Sequence, residues 1–365
     1  MGQIRSLERG DLDQVTSLYE HVARSGSRTP LPGLAAYFEE TFFDHPWADP
    51  EIPSLVYAED DGRITGFLGS SVRRFTFEGR PVRLGVSGQL VADPGARGHA
   101  PGAFLMSAYM NGPQDLTITD TASELVRRIW EGVGGETFHL ACVGWVRVFR
   151  PMQFASGYRG RRERLGAAGA TRPVLAGFDA AAGTVLRGAL RPEQPAGVEG
   201  REMAAKDLVD NLRAVTENLR LRPAYDETFV EWLFAQVAAV TGRGELRRRI
   251  VSSGGRVRGW YVYYLLPGGI SQVLQVAGDE RDVGDVLDDL FNDAYAGGTA
   301  GLQGRVEAHL LEPLSRRRAL LHPSGYLALV HARDPELLDA VQSGRALLTR
   351  LEGEWWMGHH LLAFD

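Results

Sequence analysis

Apolar positions recur at helical spacing at the start of the chain and then switch to alternation. After a short strand at 4–7, Asp11 can cap a helix that carries Leu12, Val15, Leu18, Tyr19 and Val22 on one face. A second helical pattern covers 34–43, and a loop rich in Pro and Asp covers 45–53. Three strands follow at 55–59, 64–72 with an extension over 74–77, and 81–92. Asp60-Asp61-Gly62 and Glu78-Gly79 supply the tight turns between them. A loop over 93–102 leads to a helix over 103–110, a strand over 116–119 and a helix over 121–131. Thr121-Ala122-Ser123-Glu124 fits a capping box at the start of that helix. An apolar strand pair over 138–149 closes the first half.

From 159 to 200 Gly, Ala, Pro and Arg dominate and periodicity fades, which reads as a linker region. Helical patterns then cover 204–219 and 227–240, and a meander covers 248–252, 256–266 and 270–277. A helix over 283–296, a strand over 302–308, a helix over 313–321 and a strand over 326–331 come next. The order of elements in the two halves is the same, although their residues are not. A meander feeding a crossover helix and a parallel strand builds a mixed, mainly antiparallel sheet flanked by helices. The expected class is therefore α/β with two such domains.

The length of 365 residues suits two domains, and 44% hydrophobic with 24% charged residues is the balance of a globular chain. A net charge of -6 offers nucleic acid little attraction, and the arginine runs 247–249 and 316–318 read as solvated faces. The single cysteine, Cys142, rules out an internal disulfide and reads as a small buried hydrophobe. No apolar run approaches the ~20 residues of a membrane helix, and the N-terminus lacks a signal-peptide pattern. The expectation is a soluble cytoplasmic protein without a membrane partner. His359-His360 lacks further ligands at metal spacing, so no metal is expected.

The most informative stretch runs from Val86 to Met106, where a strand ends, a glycine-rich loop follows and a helix begins. Unpaired N–H groups and the dipole at a helix N-terminus suit a pyrophosphate, and glycines let the backbone approach it. Here the chain resembles the GNAT superfamily of acyl-CoA-dependent acyltransferases. Their strand, Arg/Gln-x-x-Gly-x-Gly/Ala loop and helix appear as Leu90-Val91-Ala92-Asp93-Pro94 followed by Arg97-Gly98-His99-Ala100-Pro101-Gly102. Asp115 to Ile118 and Ser123 to Gly135 resemble the next strand and helix of that fold. The resemblance covers roughly 1–150, and the second half follows only in element order.

The resemblance implies an acyltransferase, in the first place an N-acetyltransferase, with acetyl-CoA or another acyl-CoA as co-substrate and a small-molecule or sugar amine as acceptor. It implies that backbone groups of Leu90 and Val91 hold the pantetheine arm. Arg97, Gly98, His99, Ala100 and Gly102 would then hold the pyrophosphate. With the composition change over 159–200, the expected division is 1–158 as the cofactor-binding domain, 159–200 as the linker and 201–365 as a degenerate second domain. The sequence departs from the family at Ala100, where a glycine is usual, and at Pro101, which has no N–H to donate. Trp130 stands where many members carry a tyrosine acid, and Gln89 where many carry a carboxylate base. Asp120 and His139 are the candidates for proton transfer. The alternatives are that Asp120 caps a helix beside Thr121 and that His139 sits in the core or on the surface.

In the second half Gly278 to Asp282 offers acids where the phosphate loop would be, so that half is expected not to bind CoA. Trp260 and Tyr264 should face one side of their strand, and Tyr261 and Tyr263 the other. Two other readings stand beside the enzyme: a non-catalytic binding or scaffold protein on this fold, and an aminoacyl-transferring relative. The latter would call for a basic groove for RNA.

Overall fold

Strand β1 (Gln3–Ser6) lies antiparallel to β2 (Leu55–Ala58), with Gln3 opposite Ala58. The computed structural model describes residues 2–23, 31–95, 101–162, 190–193 and 196–359. Between β1 and β2 lie the helices α1 (Leu12–Ala23) and α2 (Leu34–Phe42). Asp11 does not cap α1 as its position suggested: it ends the 3-10 turn Arg9–Asp11, and its carboxylate accepts from the Glu8 backbone N–H at 2.9 Å, one half of a capping box on that turn.

β2 continues into β3 (Ile64–Phe77) and β4 (Arg80–Ala92), which pair from Phe77↔Arg80 to Gly66↔Ala92. Their turn has positive φ at both central residues, 51° at Glu78 and 89° at Gly79. That backbone twist matches the right-handed twist of the strands it joins.

The helix α3 (Pro101–Met110) then crosses over, and β5 (Leu116–Ala122) runs parallel to β4. The helix α4 (Glu124–Gly132) follows and leads to the short β6 (Glu136–Thr137). The α4 cap is Ser123, whose hydroxyl accepts from the Val126 N–H, so the helix starts later than the Thr121 pattern suggested.

Residues separate into two compact units: Met1–His139 with Arg220–Ala235 and Tyr326–Asp365, and Leu140–Leu219 with Gln236–Gly325. These differ from the expected division at 158 and 200. The cause is an exchange of late strands. β7 (Val143–Val148) belongs to the second sheet, where it pairs with β13 (Gly301–Arg305) and β14 (Leu320–Pro323). β15 (Leu327–Ala332) belongs to the first sheet, where it pairs with β5 and β6. The expected strand pair over 138–149 is therefore a single strand, β7, preceded by the 3-10 turn Leu140–Cys142, and β6 ends before it in the first sheet.

Packing explains where β7 goes. Trp145 is fully buried in the second core, 6.0 Å from the Phe291 ring, and its Nε1 donates to the Arg305 carbonyl at 3.0 Å. Gly304 on the partner strand leaves room for that indole.

The first sheet has the order β1-β2-β3-β4-β5-β15-β6, with β9 (Leu221–Pro223) at the Phe75–Phe77 edge of β3. α1 and α2 bury Val15, Leu18 and Phe38 against Phe67 on one face. α3 buries Leu105, Met106 and Tyr109 against Leu68 and Val72 on the other.

In the second unit β8 (Val198–Glu202), β10 (Glu245–Ser253), β11 (Arg256–Leu265) and β12 (Ile270–Gly278) complete a seven-stranded sheet. The helix Val283–Ala296 covers it with Val286, Leu290 and Phe291. Tyr261 and Tyr263 donate to Asp289 and Asp293 on that helix, whereas Trp260 donates to Gln275 and Tyr264 to the Val237 carbonyl. The aromatic strand is thus alternating core, as its pattern indicates. Among the described residues no helix is long and apolar enough to cross a membrane.

Candidate active site

β4 and β5 pair only from Leu84↔Leu116 to Val86↔Ile118, although β4 continues to Ala92 and β5 to Ala122. A bulge in β4 accompanies the parting. Opposite β3 the register moves from Gly69↔Gly88 to Phe67↔Val91, so Gln89 and Leu90 face Leu68 alone. Gln89 adopts φ of 55°, the left-handed region, to accommodate the extra residue. Between the parted strands lies a cavity of about 280 Å³. β4 contributes Ser87 to Val91, and β5 contributes Thr119, Thr121 and Ala122. Met106 of α3, Val126 of α4 and Tyr19 of α1 complete the walls around one carboxylate, Glu354.

Glu354 is 5% exposed and wedged between the two strands. Its Oε1 accepts from the Thr121 hydroxyl at 2.8 Å and from the Thr119 hydroxyl, both on β5. On the β4 side Gly88 carries no side chain, and a Cβ there would run into the Glu354 carboxylate. Burial pushes the Glu354 carboxyl up, the negative charge of Asp120 adds to this, and the two threonine hydroxyls oppose it; the result is a pKa of about 7. A carboxylate that changes protonation near neutrality can take a proton from a neighbouring group and release it again.

Asp120 lies beside Glu354, 7% exposed, and its Oδ1 accepts from the Glu354 backbone N–H at 2.9 Å. It does not cap α4. Its carboxylate packs on Gly353, where any Cβ would collide with it. Leu90 and Val91 line the cavity. Gly102, in the first turn of α3, leaves only ordinary contacts for a Cβ with Leu90 and Ala92, at 3.9 Å. Arg97, Gly98, His99 and Ala100 lie outside the described residues, as do the side chains of Tyr158, Arg159, Arg161 and Arg162.

His139 is not brought to the cavity: β6 ends at Thr137, and His139 is exposed in the turn that follows. Trp130 is fully buried, and its Nε1 donates to the Val330 carbonyl of β15 at 3.0 Å. Glu354 is the functional candidate that sequence reasoning missed. Its local signal is two carboxylates, Glu352 and Glu354, set between Leu351 and Trp355 in an apolar run.

A larger cavity of about 410 Å³ lies along Ser70 to Val72 of β3. Its one imidazole, His45, is pushed down to about 3 by burial and then by the charge of Arg73, so it stays neutral and is a poor base. In the second unit the loop after β12 satisfies itself. Asp279 accepts from the Arg281 and Asp282 backbone N–H groups, and Asp282 binds Arg256 and Arg258. Among the described residues no group of three or more His, Cys, Asp or Glu side chains could hold a metal ion.

No protein-family profile matches the chain. A stretch of 123 residues is 28% identical to the tRNA modification GTPase MnmE of Chlorobaculum tepidum, covering 34% of this chain and only 25% of that protein. The sequence has one lysine, Lys206, preceded by Ala205, so it contains no glycine-lysine phosphate loop of the P-loop type.

Solved structures match over most of the chain. A probable N-acyltransferase from Enterococcus faecalis aligns with a TM-score of 0.57 at 10% identity, over 90% of this chain and 72% of that one. A GCN5-related N-acetyltransferase from Anabaena variabilis aligns with a TM-score of 0.57 at 9% identity, over 92% and 74%. Another from Kribbella flavida aligns with a TM-score of 0.53 at 13% identity, over 92% and 72%. The parted β4 and β5, the bulge at Gln89 and these alignments together show that the chain has the fold of the GCN5-related N-acetyltransferases.

Proposed function

We propose that this protein transfers an acyl group from an acyl-CoA, acetyl-CoA in the first place, to the amine of a small-molecule acceptor, with Glu354 as the base. The observation that carries this reading is the buried Glu354 carboxylate, with a pKa of about 7, in the cavity between the parted strands. The walls suit a slender, largely apolar arm, since Leu90, Val91, Met106, Ala122 and Val126 line them. Gly88 keeps the carboxylate close to β4, where the bulge leaves backbone groups without a ladder partner. Those groups would orient the thioester and oppose the negative charge that develops on its oxygen. Glu354 would take the proton from the attacking amine, and Asp120 would hold Glu354 in place through the backbone. Asp120 is then a positioning residue, and His139 has no part in the reaction.

The test is thiol release from acetyl-CoA in the presence of a panel of small amines, together with calorimetric titration of acetyl-CoA. Binding accompanied by amine-dependent thiol release that is lost in Glu354→Gln is the expected result. Absence of binding at high micromolar acetyl-CoA would overturn the reading. Binding without turnover of any amine would favour the scaffold alternative. The observation on that side is Trp130, whose buried indole is committed to Val330 and cannot protonate a leaving thiolate.

A further inference from the structure

Among the described residues the walls of the Glu354 cavity carry two titratable side chains, Glu354 and Tyr19. The reading of Glu354 as the base gives one of them a task. A departing thiolate needs a proton as well, and the indole of Trp130 does not supply it. Of the other hydroxyl groups in the walls, those of Thr119 and Thr121 are spent on Glu354, and that of Ser123 caps α4. The aliphatic hydroxyl of Ser87 does not ionise in the working range of proteins, whereas a phenol does.

Tyr19 reaches the cavity through its place on α1. Val15, Tyr19 and Ala23 follow one another at four-residue spacing and form one row along the helix. Val15 is fully buried in the core that α1 shares with Phe67, and Tyr19 and Ala23 line the cavity beyond it. Phe38 holds the Tyr19 ring edge to face at 5.5 Å and stacks in turn on Phe67 of β3 at 5.6 Å. The Tyr19 hydroxyl forms no hydrogen bond with a described residue. The neighbouring Tyr37 is committed elsewhere, since its hydroxyl donates to the Met357 carbonyl at 2.9 Å.

We propose that Tyr19 donates the proton to the leaving thiolate and works as an acid–base pair with Glu354; the inference rests on the acyl-transfer reading. As the amine nitrogen bonds to the acyl carbon, Glu354 takes one N–H proton. As the carbon–sulfur bond breaks, its electron pair stays on sulfur, which takes the Tyr19 hydroxyl proton. Glu354 then passes its proton to the Tyr19 phenolate through water. The net transfer is one proton from nitrogen to sulfur, and both side chains return to their starting states.

The electrostatics set the order of these steps. Burial, and after it the negative charge of Glu354, holds the Tyr19 hydroxyl above its ordinary value, so it is protonated when the substrates bind. Once Glu354 carries the amine's proton its charge is gone, and that part of the opposition to releasing the Tyr19 proton goes with it. The thiolate forms in the same buried cavity, where desolvation strengthens its own hold on a proton.

The test compares the natural protein with Tyr19→Phe, which keeps the ring in its contact with Phe38. Two acyl donors are used: acetyl-CoA, and the acetyl thioester of a nitrothiophenol, whose thiolate leaves without a proton. Tyr19→Phe should lower kcat with acetyl-CoA by roughly a hundredfold or more. Its melting temperature and its calorimetric affinity for acetyl-CoA should stay those of the natural protein. With the nitrothiophenyl donor the gap between the two proteins should close. An unchanged kcat with acetyl-CoA in Tyr19→Phe would overturn the proposal, and so would an equal loss with both donors, which marks a structural role. Failure of the natural protein to turn over any amine would instead overturn the acyl-transfer reading and Tyr19 with it, so the two failures are distinct.

Discussion

The backbone N–H of Glu354 donates to Oδ1 of Asp120 at 2.9 Å, which ties a segment near the end of the chain to β5 and sets two carboxylates side by side. One consequence is electrostatic. The Asp120 charge helps to raise Glu354, second only to burial. Asp120→Asn keeps an oxygen acceptor for the N–H and removes the charge. The pH at which activity is half-maximal should therefore fall below about 7, the pKa of Glu354 in the intact site. Measuring kcat/KM for thiol release between pH 5 and pH 9, ordinary assay limits, checks this. A profile that does not move would remove Asp120 from the tuning of Glu354.

Glu354→Gln tests the base and the cost of burying it. Loss of a general base lowers kcat by roughly a hundredfold to ten-thousandfold, with acetyl-CoA affinity retained. Stability should change as well, and its sign follows from proton counts. The folded carboxyl holds its proton up to about pH 7, and the unfolded one only to about 4.5. Between those values the folded state binds more protons, so stability falls as pH rises. The fall amounts to about 3 kcal/mol and is complete above the folded pKa. Glu354→Gln has no such slope, so chemical denaturation at pH 5 and pH 8, on either side of the window, should show the variant gaining on the natural protein at the higher pH.

Two glycines define the walls of this site. An alanine at Gly88 would drive its methyl into the Glu354 carboxylate, and one at Gly353 would drive it into Asp120. Both neighbours are buried and hydrogen-bonded, so neither swings away freely. Gly88→Ala should push the base aside to relieve that clash, and a misplacement of about 1 Å costs on the order of a hundredfold in rate. Gly353→Ala should cost 1–3 kcal/mol, a typical range for overpacking, visible as a lower denaturation midpoint. Retention of full activity in Gly88→Ala would contradict the placement of Glu354 against β4.

Much of the fold was legible because local pattern and tertiary context agree. The helix Val283–Ala296 begins and ends where its apolar spacing does, and the β3–β4 hairpin follows its alternation and its Glu78-Gly79 turn. The strand exchange was not legible. Val143–Val148 and Leu327–Ala332 are both short apolar strands, and nothing in either sequence says which sheet it joins. That choice rests on distant packing, such as Trp145 against Gly304. The site divided in the same way. Leu90 and Val91, which line the cavity, are named through the family resemblance of a local strand-loop-helix stretch, whereas Glu354 meets Asp120 across 234 residues of chain. Thr121 looked like part of a helix cap because its neighbours fit one. Its hydroxyl is instead spent on Glu354, and Ser123 caps the helix.

His139 provides a control within the same unit. It is exposed in a turn and absent from the walls of the cavity. His139→Ala should leave kcat/KM and its pH profile within experimental error of the natural protein, and stability within ~0.5 kcal/mol, as for most surface changes. A loss of activity beyond tenfold would require a different location for the chemistry.

Trp130 separates a structural role from a catalytic one. Its indole is fully buried, its Nε1 holds the Val330 carbonyl at 3.0 Å, and Gly135 lies flush against it because a Cβ there would strike the ring. Trp130→Phe keeps most of the apolar contact and removes the N–H. The Val330 carbonyl then loses one of its partners in a buried setting, at a cost of about 1–3 kcal/mol. The cavity left by the smaller ring adds to the loss. An indole N–H does not give up its proton near neutrality, so no step of the acyl transfer depends on it. Denaturant titration should therefore show a clear drop in midpoint, while kcat of the folded fraction stays within a few-fold. A collapse in kcat with unchanged stability would show instead that Trp130 touches the reaction, and the division of labour between Trp130 and Glu354 would have to be redrawn.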